Sequence, residues 1–256
     1  IAGSEGEFVN RMNERARQLG MENTSFLNCT GLLEQPEHLT TARDIAIMSR
    51  ELIKHDWIKE YTTIWMDTVR GGEFGLSNTN KLIHYYDGAT GLKTGFTSAA
   101  GYCLSATAVR DGVEYIAVVM NCETSQDRFE SAKALLSSGF AAYSLVSAAP
   151  DEAVKPVKVT MGAKEYIQPE IDGAASILVE KTKTGALVKT VETEETLSAP
   201  VKAGQKIGTY TITDGENVLY TADIVSCDEV ERLTSGQVFI NLLSFVFGGS
   251  APYGGL

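Results

Sequence analysis

A β-hairpin signal in the first half of the chain constrains the fold most. Two short runs of β-forming residues, 102–109 and 115–120, flank Arg110-Asp111-Gly112. An Asp-Gly pair between hydrophobic runs favours a tight turn, because both residues tolerate the positive φ that such turns require. The two runs are therefore predicted to pair as antiparallel strands.

Helical periodicity on both sides of this hairpin predicts helices that pack on the sheet. Residues 4–19, 41–55 and 125–140 place apolar side chains at intervals of three and four, the spacing of one helical face. Ser4 opens the first of these helices as part of a capping box. Residues 1–149 are therefore predicted to form an α+β domain with helices on an antiparallel sheet.

A compositional change near residue 150 indicates a second domain. Pro150 and Pro156 flank an acidic stretch of small residues, and turn residues instead of helices separate the strand-like segments beyond it. This arrangement is typical of a small all-β sandwich, which we assign to residues 150–233. The predicted strands are residues 157–160, 176–181, 187–191, 206–213 and 218–225.

The C-terminal residues 234–256 form an apolar segment with two alternative interpretations. Residues 238–247 are almost wholly apolar, but ten residues are only about half of what a membrane-spanning helix needs. Gln237, Asn241 and Ser244 would form a thin polar stripe on this helix, which could then lie in a membrane interface. Alternatively the helix packs on its own domain or on a partner, because the stripe has no Lys or Arg to contact anionic lipid.

Charge and cysteine spacing argue against several functional classes. A net charge of −11, without a Lys- or Arg-rich run, disfavours nucleic acid as a partner. The four cysteines have no CxxC spacing and do not cluster with histidines, so we expect no metal site and no cofactor. Cys103 and Cys122 lie on opposite arms of the hairpin, where a cross-strand disulfide is conceivable, although buried free thiols are favoured.

The sequence does not support a self-contained serine hydrolase triad. No GxSxG motif occurs, and His38, His55 and His84 lie in separate polar contexts. His38 precedes a helix start and His55 lies in a predicted last helical turn, where a cationic ring suits the helix dipole. We therefore interpret the three histidines as structural.

The triplet Lys-Thr-Gly occurs twice, at Lys93-Thr94-Gly95 and at residues 183–185. On a strand edge it offers a cation and a hydroxyl, and its glycine, which has no Cβ, lets a substrate backbone approach closely. The second copy lies between two β runs and is interpreted as a hairpin turn. The first copy is followed by the hairpin and by Arg128 at the start of the next helix, so we take it as the candidate site.

Motifs that follow one another along nearly the whole chain carry a resemblance to a known family. They are Leu19-Gly20-Met21, Asn28, Gly31-Leu32, residues 38–44, Asn78, residues 80–82, residues 91–97, Arg128-Phe129, Leu135-Leu136, Gly139-Phe140, residues 199–202, Gly204-Gln205 and Gly208. In this order they resemble the serine D-alanyl-D-alanine carboxypeptidases, which are low-molecular-weight penicillin-binding proteins. The resemblance implies a partial transpeptidase-like domain followed by the family's β-rich domain.

The resemblance also implies roles for the candidate site residues. In the family a Ser-x-x-Lys serine attacks the penultimate D-Ala carbonyl of a peptidoglycan stem peptide, and β-lactams inhibit the reaction. Lys93 would supply positive potential, while Thr94 and Arg128 would hold the terminal carboxylate. Gly95 would contact substrate, and the Phe96 backbone N–H would form half of the oxyanion hole, although polar residues are common at that position in relatives.

Two catalytic motifs of the family do not occur in this chain. No serine is followed by lysine three residues later, and there is no Ser-x-Asn triplet. The resemblance places both motifs upstream of Ile1, so we expect the parent protein to be an enzyme and this chain alone to be inactive. The family's N-terminal strands would be upstream as well. This predicts an open edge on strand 115–120, with self-association or binding of an N-terminal fragment.

The resemblance implies an extracytoplasmic location, at the cell wall or the outer face of the cytoplasmic membrane. Two alternative functions remain open at this level. A β-lactamase shares the sheet and a Lys-Thr-Gly strand, but the appended domain with Ala199-Pro200 and Gly204-Gln205 does not suit that class. The other alternative is a non-catalytic module that binds cell wall or membrane through its β domain and apolar C-terminus.

Overall fold

The chain divides into two compact units, residues 1–142 and 143–256. The domain boundary that the sequence indicates between residues 149 and 150 stays a prediction. Within the apolar segment 234–256, residue 251 and residues 254–256 lie outside the described residues. The residues that the computed structural model describes are 1–32, 35–250 and 252–253.

The first unit combines helices and a sheet, which confirms the predicted fold class. Its first two helices begin where the capping residues predict: Ser4 Oγ accepts from the Glu7 N–H at 3.2 Å, and Thr41 Oγ1 accepts from the Asp44 N–H at 3.1 Å. The elements are α1 (Glu5–Gln18), α2 (Ala42–Leu52), α3 (Trp57–Thr62), β1 (Met66–Val69), β2 (Phe74–Ser77), α4 (Leu82–Tyr85), β3 (Ala89–Thr97), β4 (Gly101–Arg110), β5 (Val113–Cys122) and α5 (Ser125–Ala142).

Strands β3, β4 and β5 form an antiparallel sheet in that order. The turn between β4 and β5 places Asp111 at φ 51° and Gly112 at φ 77°, which is the left-handed region expected of an Asp-Gly hairpin. Leu104 of β4 packs in one core cluster with Phe129 of α5, whereas the next residue, Ser105, contacts α2. Because successive strand residues point to opposite faces, the two helices cover opposite faces of the sheet.

Each outer strand of this sheet has one edge without a partner strand in the described part of the chain. β5 pairs with β4 alone, on the strand where the sequence predicts an open edge. β3 likewise pairs with β4 alone. Backbone N–H and C=O groups along such edges are available to a further strand or to an extended peptide.

Short elements between α2 and β3 escape prediction from sequence. α3, β1, β2 and α4 have six residues or fewer each, too few to display a period. β1 and β2 are exposed along their whole length. The loop of residues 78–81 that follows them leads towards β3, where Asn80 Nδ2 donates to the Gly91 carbonyl at 2.9 Å.

The second unit consists of strands and one C-terminal helix, as the sequence predicts. Its elements are β6 (Tyr143–Ser147), β7 (Val157–Thr160), β8 (Tyr166–Ile167), β9 (Pro169–Asp172), β10 (Ser176–Glu180), β11 (Val188–Thr193), β12 (Thr196–Ser198), β13 (Lys206–Thr213), β14 (Val218–Ser226) and α6 (Ser235–Val246). A sheet ordered β11-β13-β14-β9 and a sheet ordered β12-β7-β8 share one core, and β6 pairs with β10. Val159 and Ile167 of the smaller sheet and Ile212 and Ile224 of the larger one are among its fully buried side chains.

The second Lys-Thr-Gly triplet is not the hairpin turn that the sequence predicts. It lies in a 3-10 helix, Lys181–Ala186, between β10 and β11, which belong to different sheets. Lys183 Nζ donates to Asp214 Oδ2 at 2.8 Å, and Asp214 Oδ1 accepts from the Asn217 N–H at 2.8 Å. The Lys183 ammonium therefore holds the pKa of Asp214 well below its usual range, and the triplet secures the β13–β14 turn.

The C-terminal helix α6 begins at a capping box formed by Thr234 and Gln237. Asn241 is 0% exposed and donates to the Tyr253 carbonyl at 3.0 Å, so the predicted polar stripe does not face solvent throughout. Among the described residues, none of the helices is both long enough and apolar enough to span a bilayer. The helix and its C-cap expose large apolar side chains, which include Phe239, Ile240, Leu242, Leu243, Phe245, Val246 and Phe247.

Candidate active site

The first Lys-Thr-Gly triplet lies in the middle of β3, on the outer strand of the sheet. Thr94 is only 7% exposed, whereas Lys93 and Gly95 on either side of it are exposed. Lys93 Nζ donates to the Thr94 carbonyl at 2.6 Å. Phe96 is 52% exposed, and its ring lies 4.3 Å from that of Tyr102 on the paired strand. The triplet thus presents a cation and an exposed backbone on the strand edge.

Neighbouring side chains cover the start of β3. Thr62 Oγ1 at the end of α3 donates to the Thr90 carbonyl at 2.6 Å, and buried Asn80 holds the Gly91 carbonyl. The exposed residues of the strand begin at Lys93. The open part of the strand therefore begins at the triplet.

A second hydroxyl, that of Thr79, meets Thr94 at the triplet. The two Oγ1 atoms are 2.8 Å apart, and either can be the donor. Sequence reasoning did not identify Thr79, although it picked out both neighbours, Asn78 and Asn80. No periodicity could have shown this contact, because the hydroxyls come from a short loop and from a strand 15 residues later.

Helix α5 brings Arg128 to the triplet. Thr124 Oγ1 donates to Asp127 Oδ2 at 2.7 Å and accepts from the Asp127 N–H at 3.1 Å, which caps the start of the helix. Arg128 Nη1 donates to the carbonyl oxygens of Gly95 at 3.2 Å and Cys103 at 3.4 Å. The guanidinium is therefore anchored to the backbone of β3 and β4 beside the triplet.

Arg128 is 7% exposed, which is unusual for a charged side chain. Nη2 donates to Ser125 Oγ at 3.3 Å, while Nε is buried and has no hydrogen-bond partner in the described part of the chain. The guanidinium carbon lies 5.3 Å from the Tyr102 ring and 4.8 Å from the Phe129 ring. Burial lowers the pKa of Arg128, but an arginine stays charged at neutral pH. The result is a buried cation with unused donor capacity.

Gly95 is not required by the packing of the protein itself. A Cβ at this position would meet only the Cβ of Cys103, at 3.9 Å, which is an ordinary van der Waals distance. Its φ also lies outside the left-handed region, where side chains are strained. The space next to Gly95 is therefore open to a ligand.

The histidines and cysteines do not form a second reactive cluster with the triplet. His38 Nδ1 accepts from the Leu27 N–H at 3.2 Å, and the His84 ring stacks on Trp65 at 5.0 Å. His55 lies beyond the end of α2, not in the last helical turn that the sequence predicts, because the helix ends at residue 52.

All four cysteines are free thiols, so the conceivable Cys103–Cys122 disulfide is not formed. Both cysteines are half-buried, which is less burial than the sequence predicts. Burial, followed by the negative charge of Asp127, raises the pKa of the Cys122 thiol.

Comparisons with known proteins identify the class to which the chain is similar. Residues 1–124 match the family model of D-alanyl-D-alanine carboxypeptidases, and residues 145–232 match the model of the penicillin-binding protein 5 C-terminal domain. The structure is similar to penicillin-binding protein 5 from Haemophilus influenzae, with a TM-score of 0.70 and 27% identity over 91% of this chain and 68% of that chain. The fold and these matches thus define a penicillin-binding protein.

Curated relatives narrow this class to one family. D-alanyl-D-alanine carboxypeptidase DacF of Bacillus subtilis is 35% identical over 91% of this chain and 61% of its own length. DacC of Escherichia coli is 32% identical over 82% of this chain and 52% of its own length. Together these matches support the assignment of the chain to the low-molecular-weight penicillin-binding proteins, as its motifs indicate.

These matches help to decide between a carboxypeptidase and a β-lactamase. The chain spans 61% and 52% of the lengths of DacF and DacC. Both relatives are carboxypeptidases, and the second unit matches a penicillin-binding protein domain. These findings favour the carboxypeptidase interpretation over a β-lactamase.

Proposed function

We propose that the protein containing this chain is a serine-type D-Ala-D-Ala carboxypeptidase. It removes the terminal D-alanine of peptidoglycan stem peptides through an acyl-serine intermediate. The observation that carries the proposal is the position of Arg128. Arg128 Nη1 lies 3.2 Å from the carbonyl oxygen of Gly95, the residue after Thr94, where β3 opens, and residues 1–124 match the carboxypeptidase family model.

Thr94 and Arg128 hold the terminal carboxylate of the substrate. A carboxylate is a planar anion, and a guanidinium offers it donors in a matching plane. Arg128 is already fixed by its bonds to Gly95, Cys103 and Ser125, so binding costs little side-chain entropy. The guanidinium is buried without a counter-charge bonded to it among the described residues, so the negative charge of a bound carboxylate nearby would stabilise it.

The other residues of the open strand act on the reacting part of the substrate. The exposed ammonium of Lys93 attracts the anionic peptide and raises the positive potential of the cleft. The bare backbone of Gly95 lets the peptide lie against the strand as an added strand would. The Phe96 N–H donates to the oxyanion that forms when the serine attacks, and this role does not depend on the exposed Phe96 ring.

The nucleophile comes from outside this sequence. None of the serines among the 256 residues belongs to a Ser-x-x-Lys or Ser-x-Asn motif. The family relatives extend well beyond the part that this chain matches, since 39% of DacF and 48% of DacC are not covered by it. We therefore expect the chain alone to be inactive, and the complete protein to combine its strand β3 with a serine from the remaining part.

D-Alanine release by the complete protein tests this proposal. A peptide ending in D-Ala-D-Ala is incubated with the wild type and with Thr94→Val, which replaces the hydroxyl by a methyl group. We expect the wild type to release D-alanine and Thr94→Val to lose most of that activity. Thr184→Val makes the same change in the second triplet, where Thr184 Oγ1 donates to the Lys181 carbonyl, and should keep full activity. Equal activities of the two variants would argue against the site.

The proposed activity places the protein outside the cytoplasmic membrane, at the cell wall, with β-lactams as inhibitors. The exposed apolar face of α6, which includes Phe239 and Phe245, would rest in the membrane interface. Since α6 contains no Lys or Arg, this binding would depend on apolar burial and would change little between neutral and anionic vesicles. Vesicle flotation with Phe245→Glu as the variant measures it, and unchanged flotation of the variant would exclude this role.

The open edge of β5 is the proposed contact for the remaining part of the catalytic domain. Val113, Ala117 and Val119 of this strand are buried, so a strand added at the edge would extend an existing core. In the absence of that part, the same edge would favour self-association. Light scattering of the isolated chain, with and without an added N-terminal fragment, distinguishes these cases, and a stable monomer that binds no fragment would contradict both.

A further inference from the structure

The Thr79 hydroxyl contacts Thr94 at the proposed carboxylate site, and none of the roles assigned above involves Thr79. The two oxygens are 2.8 Å apart, and Thr94 is nearly buried while Thr79 is half-buried. The Thr79 hydroxyl has no other hydrogen-bond partner in the part of the chain that the structure describes. Its proton is therefore available to Thr94.

The backbone around Thr79 is held in place on both sides. Asn78 Oδ1 accepts from the Asn80 N–H at 2.9 Å, and Asn78 Nδ2 donates to the Ile64 carbonyl at 2.9 Å. Asn80 is 1% exposed and bonds the Gly91 carbonyl of β3. A side chain between two such anchors keeps its distance from β3, so the hydroxyl contact is a fixed part of the site and not a chance approach.

A hydroxyl has one proton, and this limits what Thr94 can do. If Thr94 donates to Thr79, it has no proton left for a substrate carboxylate. If Thr79 donates to Thr94, the Thr94 proton is free to bond an anion, and each bond of such a chain strengthens the next. A bound carboxylate therefore selects the direction Thr79 to Thr94 to substrate.

We propose that Thr79 is a positioning residue that orients the Thr94 hydroxyl as a donor and thereby favours substrates ending in a carboxylate over those ending in a neutral amide. An amide also offers an N–H donor. If that N–H donates to the Thr94 oxygen, the Thr94 hydroxyl donates to Thr79 instead of to the substrate, and the chain of hydrogen bonds from Thr79 to the substrate is lost. This proposal rests on the proposed function, because it assumes that the carboxylate binds at Thr94.

The test compares two peptides on the complete protein, acetyl-D-Ala-D-Ala and its C-terminal amide. Thr79→Val keeps the shape and removes the hydroxyl, and Thr79→Ser restores the hydroxyl. Loss of one hydrogen bond should lower the preference for the acid, as the ratio of kcat/KM values, by about 3- to 10-fold in Thr79→Val. Thr79→Ser should keep the wild-type ratio, and thermal unfolding should show that both variants are folded.

An unchanged ratio in Thr79→Val would overturn the proposal, as would an equal loss on both peptides or a failure of Thr79→Ser to restore the ratio. Equilibrium binding of the same peptides separates this proposal from the proposed function. A wild type that binds the acid without cleaving it refutes the proposed reaction, and the ratio of Kd values then decides the role of Thr79. A wild type that binds neither peptide refutes both.

Discussion

Replacement of Gly95 by alanine should affect substrate binding and acylation without lowering the stability of the fold. The added methyl group would lie 3.9 Å from the Cβ of Cys103, with no closer contact among the described residues. A glycine to alanine change at an unstrained position stabilises a protein by about 0.4–1 kcal/mol, because it restricts the unfolded chain. For a chain of this size the melting temperature should stay constant or rise by about 1–4 °C.

The same methyl group stands where we place the substrate backbone. A displacement of about 1 Å at a reacting centre can cost about 100-fold in rate. We therefore expect acylation of the complete Gly95→Ala protein by a fluorescent penicillin to slow by about two orders of magnitude, while its thermal unfolding is unaffected or improved. Stopped-flow or gel-based labelling measures the rate, and differential scanning calorimetry of the same samples measures the stability.

Gly101→Ala, at the start of the paired strand β4, is the matched control. Gly101 has a φ of 66°, and a Cβ there would lie 2.9 Å from Asn121 Oδ1 and 3.0 Å from Cys122 O. Alanine should therefore destabilise the protein by about 1 kcal/mol or more at this position. Wild-type acylation by Gly95→Ala, or a loss of its stability similar to that of Gly101→Ala, would refute the reasoning.

Three further predictions concern Arg128 and the second triplet. Arg128→Gln should lower the acylation rate. It should also lower the free energy of unfolding by about 1–3 kcal/mol, because the carbonyls of Gly95 and Cys103 lose their donor. Urea titration measures this loss, and unchanged stability would contradict the anchoring role. The pKa of Asp214 is lower in the folded than in the unfolded protein, so the stability from its bond to Lys183 is present above about pH 4 and is lost as the pH falls further. Asp214→Asn should therefore reduce the dependence of the unfolding free energy on pH in this acid range, as measured by chemical denaturation. An unchanged pH dependence would exclude the pair as its source. Lys183→Met should acylate at the wild-type rate, and a large loss would mean that the second triplet has a catalytic role.

Local signals predicted much of the fold because they act over a few residues. Ser4 and Thr41 cap helices through donors three residues away, and Asp111-Gly112 supplies the φ values of its turn without help from the rest of the chain. Five strands of the second unit, β7, β10, β11, β13 and β14, were predicted for the same reason, since turn residues separate them at short intervals, whereas β6, β8, β9 and β12 were not predicted. Sequence reasoning is most reliable where both interaction partners lie in the same window.

The features that escaped prediction depend on contacts between distant segments. The sequence of the second triplet is typical of a hairpin turn. However, β10 pairs with β6 and β11 pairs with β13, so the segment between β10 and β11 connects two different sheets. Thr79 has no local signal, because its partner is on another element. Arg128 was predicted as a site residue from its motif, whereas its burial and its bond to Gly95 follow from the packing of α5 on the sheet.

Covalent labelling by a fluorescent penicillin, with the modified residue located by mass spectrometry, tests the central claim most directly. The isolated 256-residue chain and the same chain mixed with an N-terminal fragment of its parent protein are labelled in parallel. We predict no label on the isolated chain, and label on a serine of the added fragment in the mixture, which Arg128→Gln reduces. A label on any serine of this chain, or a mixture whose labelling does not depend on Arg128, would contradict the account.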